Sequence, residues 1–187
     1  MIKRIHKSLP VLACIASVHQ IVKLVPNAFL LATMLGVTSC SYTRHYVVRH
    51  AEKLNETDDS PLNSAGFRRA DALAETLSTK NIRVVFVSDK LRTQQTAAPT
   101  AARFAVVPII IPSAETDRLI TELKKISGRN VLVVRHSNEI HLIVNALSPF
   151  DEIDPIPDEF DNLFVVTRRV FLWDRRIRLE RLKYGGL

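Results

Sequence analysis

Cysteine is almost absent from this chain. The two present, Cys14 and Cys40, both fall in the first forty of 187 residues. The remainder therefore has no disulfide framework, and its redox compartment is not written in its cysteines. Acids are missing from residues 1–39, which hold Lys3, Arg4, Lys7 and Lys23. The formal charge of +7 is inflated by that segment: setting the four aside leaves 22 basic residues against 19 acids, a net +3. So small a surplus argues against a nucleic-acid partner. The arginines near the end, Arg175, Arg176, Arg178 and Arg181, alternate with Leu179, Glu180 and Leu182 and read as the solvated face of a terminal strand. There is no internal repeat and no linker long enough to divide residues 41–187. With 47% apolar residues, the chain can bury a core of ordinary size.

The leader has a basic start, an apolar middle over residues 28–36 and the quartet Val37-Thr38-Ser39-Cys40. Those are the parts of an export signal. The quartet is similar to the bacterial lipoprotein signal, in which a cysteine after small residues becomes acylated. Residues 1–40 are thus expected to be a signal peptide ending in a lipidated Cys40, with an uncleaved membrane anchor as the alternative. Either places residues 41–187 outside the cytoplasm, on the periplasmic side or the cell surface of a bacterium, attached to a membrane.

From residue 44 onward, strand and helix patterns alternate. Strands are expected at 44–49, 82–87, 106–111 and 130–135, and helices at 64–79, 90–104, 115–126 and 138–147. Two strands near 163–168 and 170–174 and a third piece near 177–184 follow an acidic loop at 149–161. Ser64 is the expected N-cap of the first helix, and Gly66 suggests close backbone approach. Pro99 should kink the helix that contains it. The pattern predicts an α/β fold: a three-layer sandwich with a mostly parallel sheet flanked by helices and an antiparallel C-terminal edge.

Three expected strands end in polar residues: Arg49-His50, then Ser88-Asp89 with Arg92 beyond, then Arg135-His136-Ser137-Asn138. In a parallel sheet these ends share one edge, where ligands bind. Two histidines and several arginines would meet there without a matching cluster of acids. Arginines hold phosphate oxygens bidentately, a helix start adds backbone donors, and a neutral histidine can attack phosphorus. No metal or other cofactor is required. His45, His50, His136 and His141 lack the cysteine or paired carboxylate that a metal set would include, and the acids of 149–161 lack the spacing of a calcium loop.

At these residues the chain resembles the histidine phosphatase superfamily of phosphoglycerate-mutase-like proteins. The resemblance runs through Arg49-His50-Ala51-Glu52-Lys53, Pro61-Leu62-Asn63-Ser64-Ala65-Gly66, Ser88-Asp89-Lys90-Leu91-Arg92-Thr93-Gln94-Gln95-Thr96-Ala97 and Val131-Leu132-Val133-Val134-Arg135-His136-Ser137-Asn138, in family order. It implies His50 as phospho-accepting nucleophile, with Arg49, Arg92 and His136 as catalytic partners around the phosphate. Ser137 and Asn138 join Arg49 and Arg92 as candidate substrate contacts. The chain departs from the family at Arg135, where a glycine is usual, and at Asn63, where a threonine is usual. A glutamate general acid is also not evident. Glu52, Asp89 and Glu115 are the candidates, and the family's phosphohistidine phosphatases do without one. Arg135 is expected to form an outward salt bridge more readily than a phosphate contact.

The expected function is a metal-independent phosphomonoester hydrolase working through a phosphohistidine, acting on a phosphorylated small molecule or phosphoprotein. A mutase fits less well, because the chain lacks room for large insertions over the site. The alternative is a catalytically silent phosphate-ligand binding domain of the same fold.

Overall fold

In a computed structural model, which describes residues 41–156, 159–171 and 174–185, the chain starts in the middle of its sheet. The expected leader and Cys40 lie outside the described residues. Strand β1, Ser41–Arg49, begins three residues before the apolar pattern does. Its extra length comes from its antiparallel neighbour β5, Asn162–Phe171, which pairs with it from Ser41 opposite Val170 to Val48 opposite Leu163. Strands β2, Ile82–Val87, and β4, Asn130–Arg135, occupy the ranges their β-branched runs predict. Strand β3 shrinks from the expected six residues to Ile109–Ile110. Pro108 and Pro112 bracket it and cannot donate to a ladder, and Ala105 before it has φ +52°. The three short C-terminal pieces are instead two long strands. β6, Asp174–Lys183, pairs with β5 from Asn162 opposite Lys183 to Phe171 opposite Asp174.

The sheet order is β3-β2-β4-β1-β5-β6, with β3, β2, β4 and β1 parallel and β5 antiparallel to β1. Helices α1, Ser64–Thr76, and α2, Leu91–Arg103, cover one face; α3, Thr116–Lys125, and α4, Ser137–Leu147, cover the other. A short 3₁₀ turn, Ser113–Glu115, leads into α3. Because both faces are covered, consecutive strand residues are buried and alternate between two cores. Val48, Val85, Val87, Leu132 and Val134 meet Leu73 and Ala97. Val47, Phe86, Val131 and Val133 meet Leu119, Leu123, Ile140 and Ile143. Each fully buried Leu or Ile adds roughly 1.5–3 kcal/mol. This is the expected α/β three-layer sandwich with an antiparallel C-terminal edge. Helix α2 continues through Pro99 to Arg103.

The cap of α1 sits one residue earlier than expected. Asn63, not Ser64, accepts the N–H of Gly66 on its Oδ1 at 2.8 Å. Asparagine at the usual threonine position thus keeps the capping oxygen. Gly66 is there because the chain crosses itself. A Cβ on it would lie 2.3 Å from the Glu52 carbonyl oxygen and 3.1 Å from the Glu52 nitrogen, and neither backbone atom can swing aside. Gly66→Ala is expected to lower unfolding stability by about 1–3 kcal/mol, read from denaturant unfolding, despite alanine's better helix propensity.

Candidate active site

The pairing of β1 with β4 runs in register to Arg49 opposite Arg135, and the His50 N–H extends it by donating to the Arg135 carbonyl at 2.8 Å. The two histidines that follow are therefore neighbours. Their ring centroids are 5.3 Å apart and inclined at 64°. Both are buried, as are Arg49, Ser88 and Arg135.

The His50 ring is oriented by its own backbone. Nδ1 lies 2.8 Å from the Ala51 carbonyl oxygen, which can only accept, so Nδ1 carries the proton and Nε2 keeps its lone pair. Burial, only partly offset by this hydrogen bond and reinforced by the charges of Arg92, Arg49 and Lys53, pushes the His50 pKa down to about 4. The ring is neutral at pH 7. His136 is lowered to about 3, first by burial, then by Arg92, His50 and Arg135. Arg92 Nη2 lies 3.3 Å from His136 Nδ1, so that nitrogen is the acceptor; Nε2 donates to Ser88 Oγ at 3.0 Å.

Helix α2 and the loop before it hold this arrangement together. Ser88 Oγ accepts the Lys90 N–H and donates to Thr93 Oγ1, which in turn donates to the Lys90 carbonyl. Thr96 Oγ1 accepts the Ala51 N–H at 2.9 Å, next to the nucleophile, and Gln95 Oε1 accepts the Leu62 N–H at 2.8 Å. Arg92 Nη1 donates to the Asp58 carbonyl at 2.6 Å, while its Nε is buried without a hydrogen-bond partner among the described residues. A buried donor so placed suits an anionic ligand. The N–H of Leu91, at the start of α2, is taken by Asp59 Oδ1 at 2.7 Å.

The expected role of Arg135 is corrected. It is fully buried, not outward, because β4 is central and its side chain lies on the face covered by α3 and α4. Its Nε and Nη2 donate to Glu139 Oε1 at 3.1 and 2.6 Å. Its Nη1 and Nη2 donate to the carbonyls of Ile111 and Pro112. Glu139 also accepts from Thr116 Oγ1 at 2.6 Å and from the His136 N–H at 3.3 Å. The pair ties the end of β4, the start of α4 and the 111–116 segment into one unit around the second histidine.

The three acid candidates are all engaged. Glu52 takes the Arg69 guanidinium at 2.6–3.0 Å. Burial would raise its carboxyl, but the Arg69 hydrogen bonds outweigh it and hold it below the usual value. Asp89 does not cap α2. Its Oδ1 accepts the Ser113 N–H at 2.8 Å, which depresses its pKa. Glu115 pairs with Arg118 at 2.6 Å. Ser137 is half-buried and Asn138 exposed in the first turn of α4, directly after His136. His45 is a core residue: Nε2 faces the Leu123 carbonyl at 3.3 Å, and burial lowers its pKa to about 4. Among the described residues, no group of three or more His, Cys, Asp or Glu is placed to hold a metal.

Phe160 was not singled out by the sequence. Its ring lies 4.2 Å from Arg49 Cζ and 6.1 Å from the His50 ring, forming a cation–π roof over the pocket. Its only sequence signal is an aromatic residue at the end of an acidic loop. Glu139 had a clearer one, its i,i+4 spacing from Arg135.

The fold and site together define a pocket lined by two histidines and two arginines on an α/β sandwich. The model of the histidine phosphatase superfamily (branch 1) matches residues 45–115. No curated protein matches the sequence. Solved structures share the fold. "Mycobacterial hydrolase 2" aligns with a TM-score of 0.61 at 15% identity, covering 75% of this chain and 90% of its own. A mycobacterial glucosyl-3-phosphoglycerate phosphatase holding inorganic phosphate aligns at 0.58 and 17%, covering 73% and 95%. A provisionally assigned phosphohistidine phosphatase SixA from Agrobacterium tumefaciens aligns at 0.56 and 20%, covering 75% and 97%.

Arg135→Leu leaves Glu139 buried without its charge partner and is expected to lower stability by about 3–5 kcal/mol. The double variant Arg135→Leu/Glu139→Leu should recover much of the loss. Denaturant unfolding of the two single and one double variant reads the coupling.

Proposed function

We propose that the domain is a phosphomonoester hydrolase that works through a phosphohistidine at His50. The observation that carries this reading is the His50 Nδ1 bond to the Ala51 carbonyl, which leaves a neutral Nε2 lone pair facing a pocket edged by Arg49, Arg92 and His136. Nε2 attacks phosphorus in line, forming an N–P bond as the ester P–O bond breaks. The departing oxygen takes a proton. Water then attacks phosphorus, the N–P bond breaks, and inorganic phosphate leaves with Nε2 restored. Arg49 and Arg92 neutralise the equatorial oxygens, and the starts of α2 and α4 add dipoles of the right sign. His136 can donate to a phosphoryl oxygen only with a proton on Nδ1. The incoming dianion favours that proton, and burial opposes it.

Glu52, Asp89 and Glu115 are each held by other groups, which favours substrates whose leaving group needs little protonation. A phosphohistidine or an ester of an acidic phenol fits; a simple alkyl phosphate fits less well. The same observation keeps a second reading, a silent phosphate-binding domain. An aryl phosphate is expected to turn over about 10²–10⁴ times faster than an alkyl phosphate, the range general acid catalysis usually supplies. His50→Ala should lower that turnover on the order of 10³-fold or more. Phosphate binding without turnover of either ester would establish the binder.

The acid side of the pH profile tests the nucleophile. With His50 lowered to about 4, turnover should persist through pH 6.5, where an ordinary histidine protonates, and fall only toward pH 4. Stability shifts in the same direction. The unfolded chain binds histidine protons near the ordinary pKa, whereas buried His45, His50 and His136 do so only at about 3–4. The fold therefore loses stability as pH drops from about 6.5 toward 4, and rates should be read where circular dichroism reports it intact.

The proposal places this domain outside the cytoplasm, tethered through an acylated Cys40. What supports this is the leader's basic start, its apolar run and the quartet ending at that cysteine. Cys40→Ser expressed in a bacterium should lack the mass of the lipid, read by mass spectrometry of the intact chain. Unchanged mass would remove acylation from the account.

A further inference from the structure

The net charge of +3 on residues 41–187 conceals a polarised molecule. The phosphate pocket sits at the carboxyl ends of β1, β2 and β4. At the opposite edge, a cleft of about 560 Å³ is lined by Tyr42, Arg44, Asn81, Arg83, Arg129 and Asn130 among others, with three guanidiniums and no acid. Arg44, Arg83 and Arg129 are exposed, and none has an ion-pair partner among the described residues. The register of the C-terminal hairpin adds to this edge: Arg169 stands opposite Tyr42, Arg168 opposite Thr43 and Arg175 opposite Val170. Burial, and then the charge of Arg175, lowers the Arg168 pKa, as crowded cations should. The acids nearby have other partners: Asp174 pairs with Arg176, Glu122 with Lys125, and Glu180, which lines an adjoining cleft with Arg44, lies 3.8 Å from Arg178.

Ordinary helix electrostatics account for part of this. Lys124 and Lys125 lie in the last turn of α3 and answer its dipole. Arg44 and Arg83 stand on strands, and Arg129 on the turn before β4, so that explanation does not reach them. The local backbone also turns Arg83 out: Ile82 pairs with Asn130 and Val84 with Val131, leaving Arg83 as the extra residue of a bulge. Asn81 and Gly128 have φ of +48° and +69°, and the Gly128 N–H is tied to Thr43 Oγ1 at 2.9 Å.

The chain enters the domain at this same edge. Ser41 begins β1 beside the cleft, with its Oγ 2.9 Å from Ser127 Oγ, and the residue before it is Cys40. We propose that this edge is a docking face for an anionic lipid bilayer, with Arg44, Arg83 and Arg129 contacting headgroup phosphates. An anchor at residue 40 would hold that face against the membrane. The eight-residue rise of β1 would then set the His50 pocket about 26 Å away, facing solution. The face does not depend on the phosphatase chemistry, and it would survive the failure of that reading.

The test uses the full chain carrying Cys40→Ser, so that acylation is not what is measured. Co-sedimentation is compared on phosphatidylglycerol–phosphatidylcholine vesicles and on phosphatidylcholine alone. The leader binds both, and its own Lys3, Arg4, Lys7 and Lys23 favour the anionic vesicles, so the face is read from the change in that preference when its arginines are removed. The expected result is a preference for the anionic vesicles that weakens with salt. At about fivefold per basic residue near an anionic surface, Arg44→Ala/Arg83→Ala/Arg129→Ala should reduce that preference on the order of a hundredfold. The triple arginine-to-lysine variant, which keeps the charge, should retain it. Circular dichroism melts confirm that both variants fold. Equal binding to the two vesicle types would overturn the proposal, as would a preference that the alanine triple leaves unchanged. Salt-sensitive binding of duplex DNA without preference for anionic vesicles would also overturn it and assign the face to nucleic acid.

Discussion

The in-register parallel pairing of β1 with β4 is the constraint from which the site follows. Each strand delivers an Arg-His pair at its carboxyl end, and the His50 N–H bound to the Arg135 carbonyl fixes their relative height. A one-residue slip would turn every side chain of β1 to the opposite face. Val47 and Val48 would exchange cores, and Arg49, on the same face as Val47, would move away from Phe160 toward the α1/α2 side. Register is thus enforced by two apolar cores at once, and the pocket inherits their rigidity.

The second strand end shows how one fold position can change without moving the site. A glycine before the second histidine, as the family resemblance leads one to expect, would leave space between β4 and the 111–116 segment. Arg135 fills it and brings Glu139 with it. The pair is buried, so its attraction is set against a large desolvation penalty and is weak grounds for stability. Its clearer effect is positional. Glu139 accepts the His136 N–H, and Arg135 clamps the two carbonyls preceding the 3₁₀ turn. It also places a carboxylate next to a cluster of cations while Arg135 neutralises it, so the pocket keeps its preference for an anion.

What was legible in the sequence was set by local patterns. β2 and β4 are β-branched runs bounded by polar residues, and they fell where the pattern put them. The strand ends carrying Arg49, His50, Ser88 and His136 followed from the same pattern. What was not legible depended on partners distant in sequence. β1 gained three residues from β5, and β3 lost four to its prolines. Asn63 and Ser64 are equally good capping types, and only the backbone decides between them. Of the partners of Arg135 only Glu139 had a local signal, its i,i+4 spacing; the carbonyls of Ile111 and Pro112 were invisible because they lie more than twenty residues away. Phe160 reaches the pocket by way of a loop with no periodicity to read.

The distribution of acids gives the site and the opposite edge a common logic. Near the pocket the carboxylates are spent as scaffold: Glu52 on Arg69, Asp59 on the start of α2, Asp89 on Ser113 and Glu139 on Arg135. Each fixes a loop or a helix end, and none of the four forms an ion pair with Arg92 beside His136. On the proposed reading this is how the pocket attracts a dianion: the acids required for folding are engaged by other groups, and Arg49 and Arg92 meet the ligand. The consequence for chemistry is a division of labour. On the proposed reading, phosphate binding and nucleophile orientation are built into the strand ends, whereas the leaving group departs without a proton from Glu52, Asp89 or Glu115. Leaving-group acidity, more than shape, would then select the substrate.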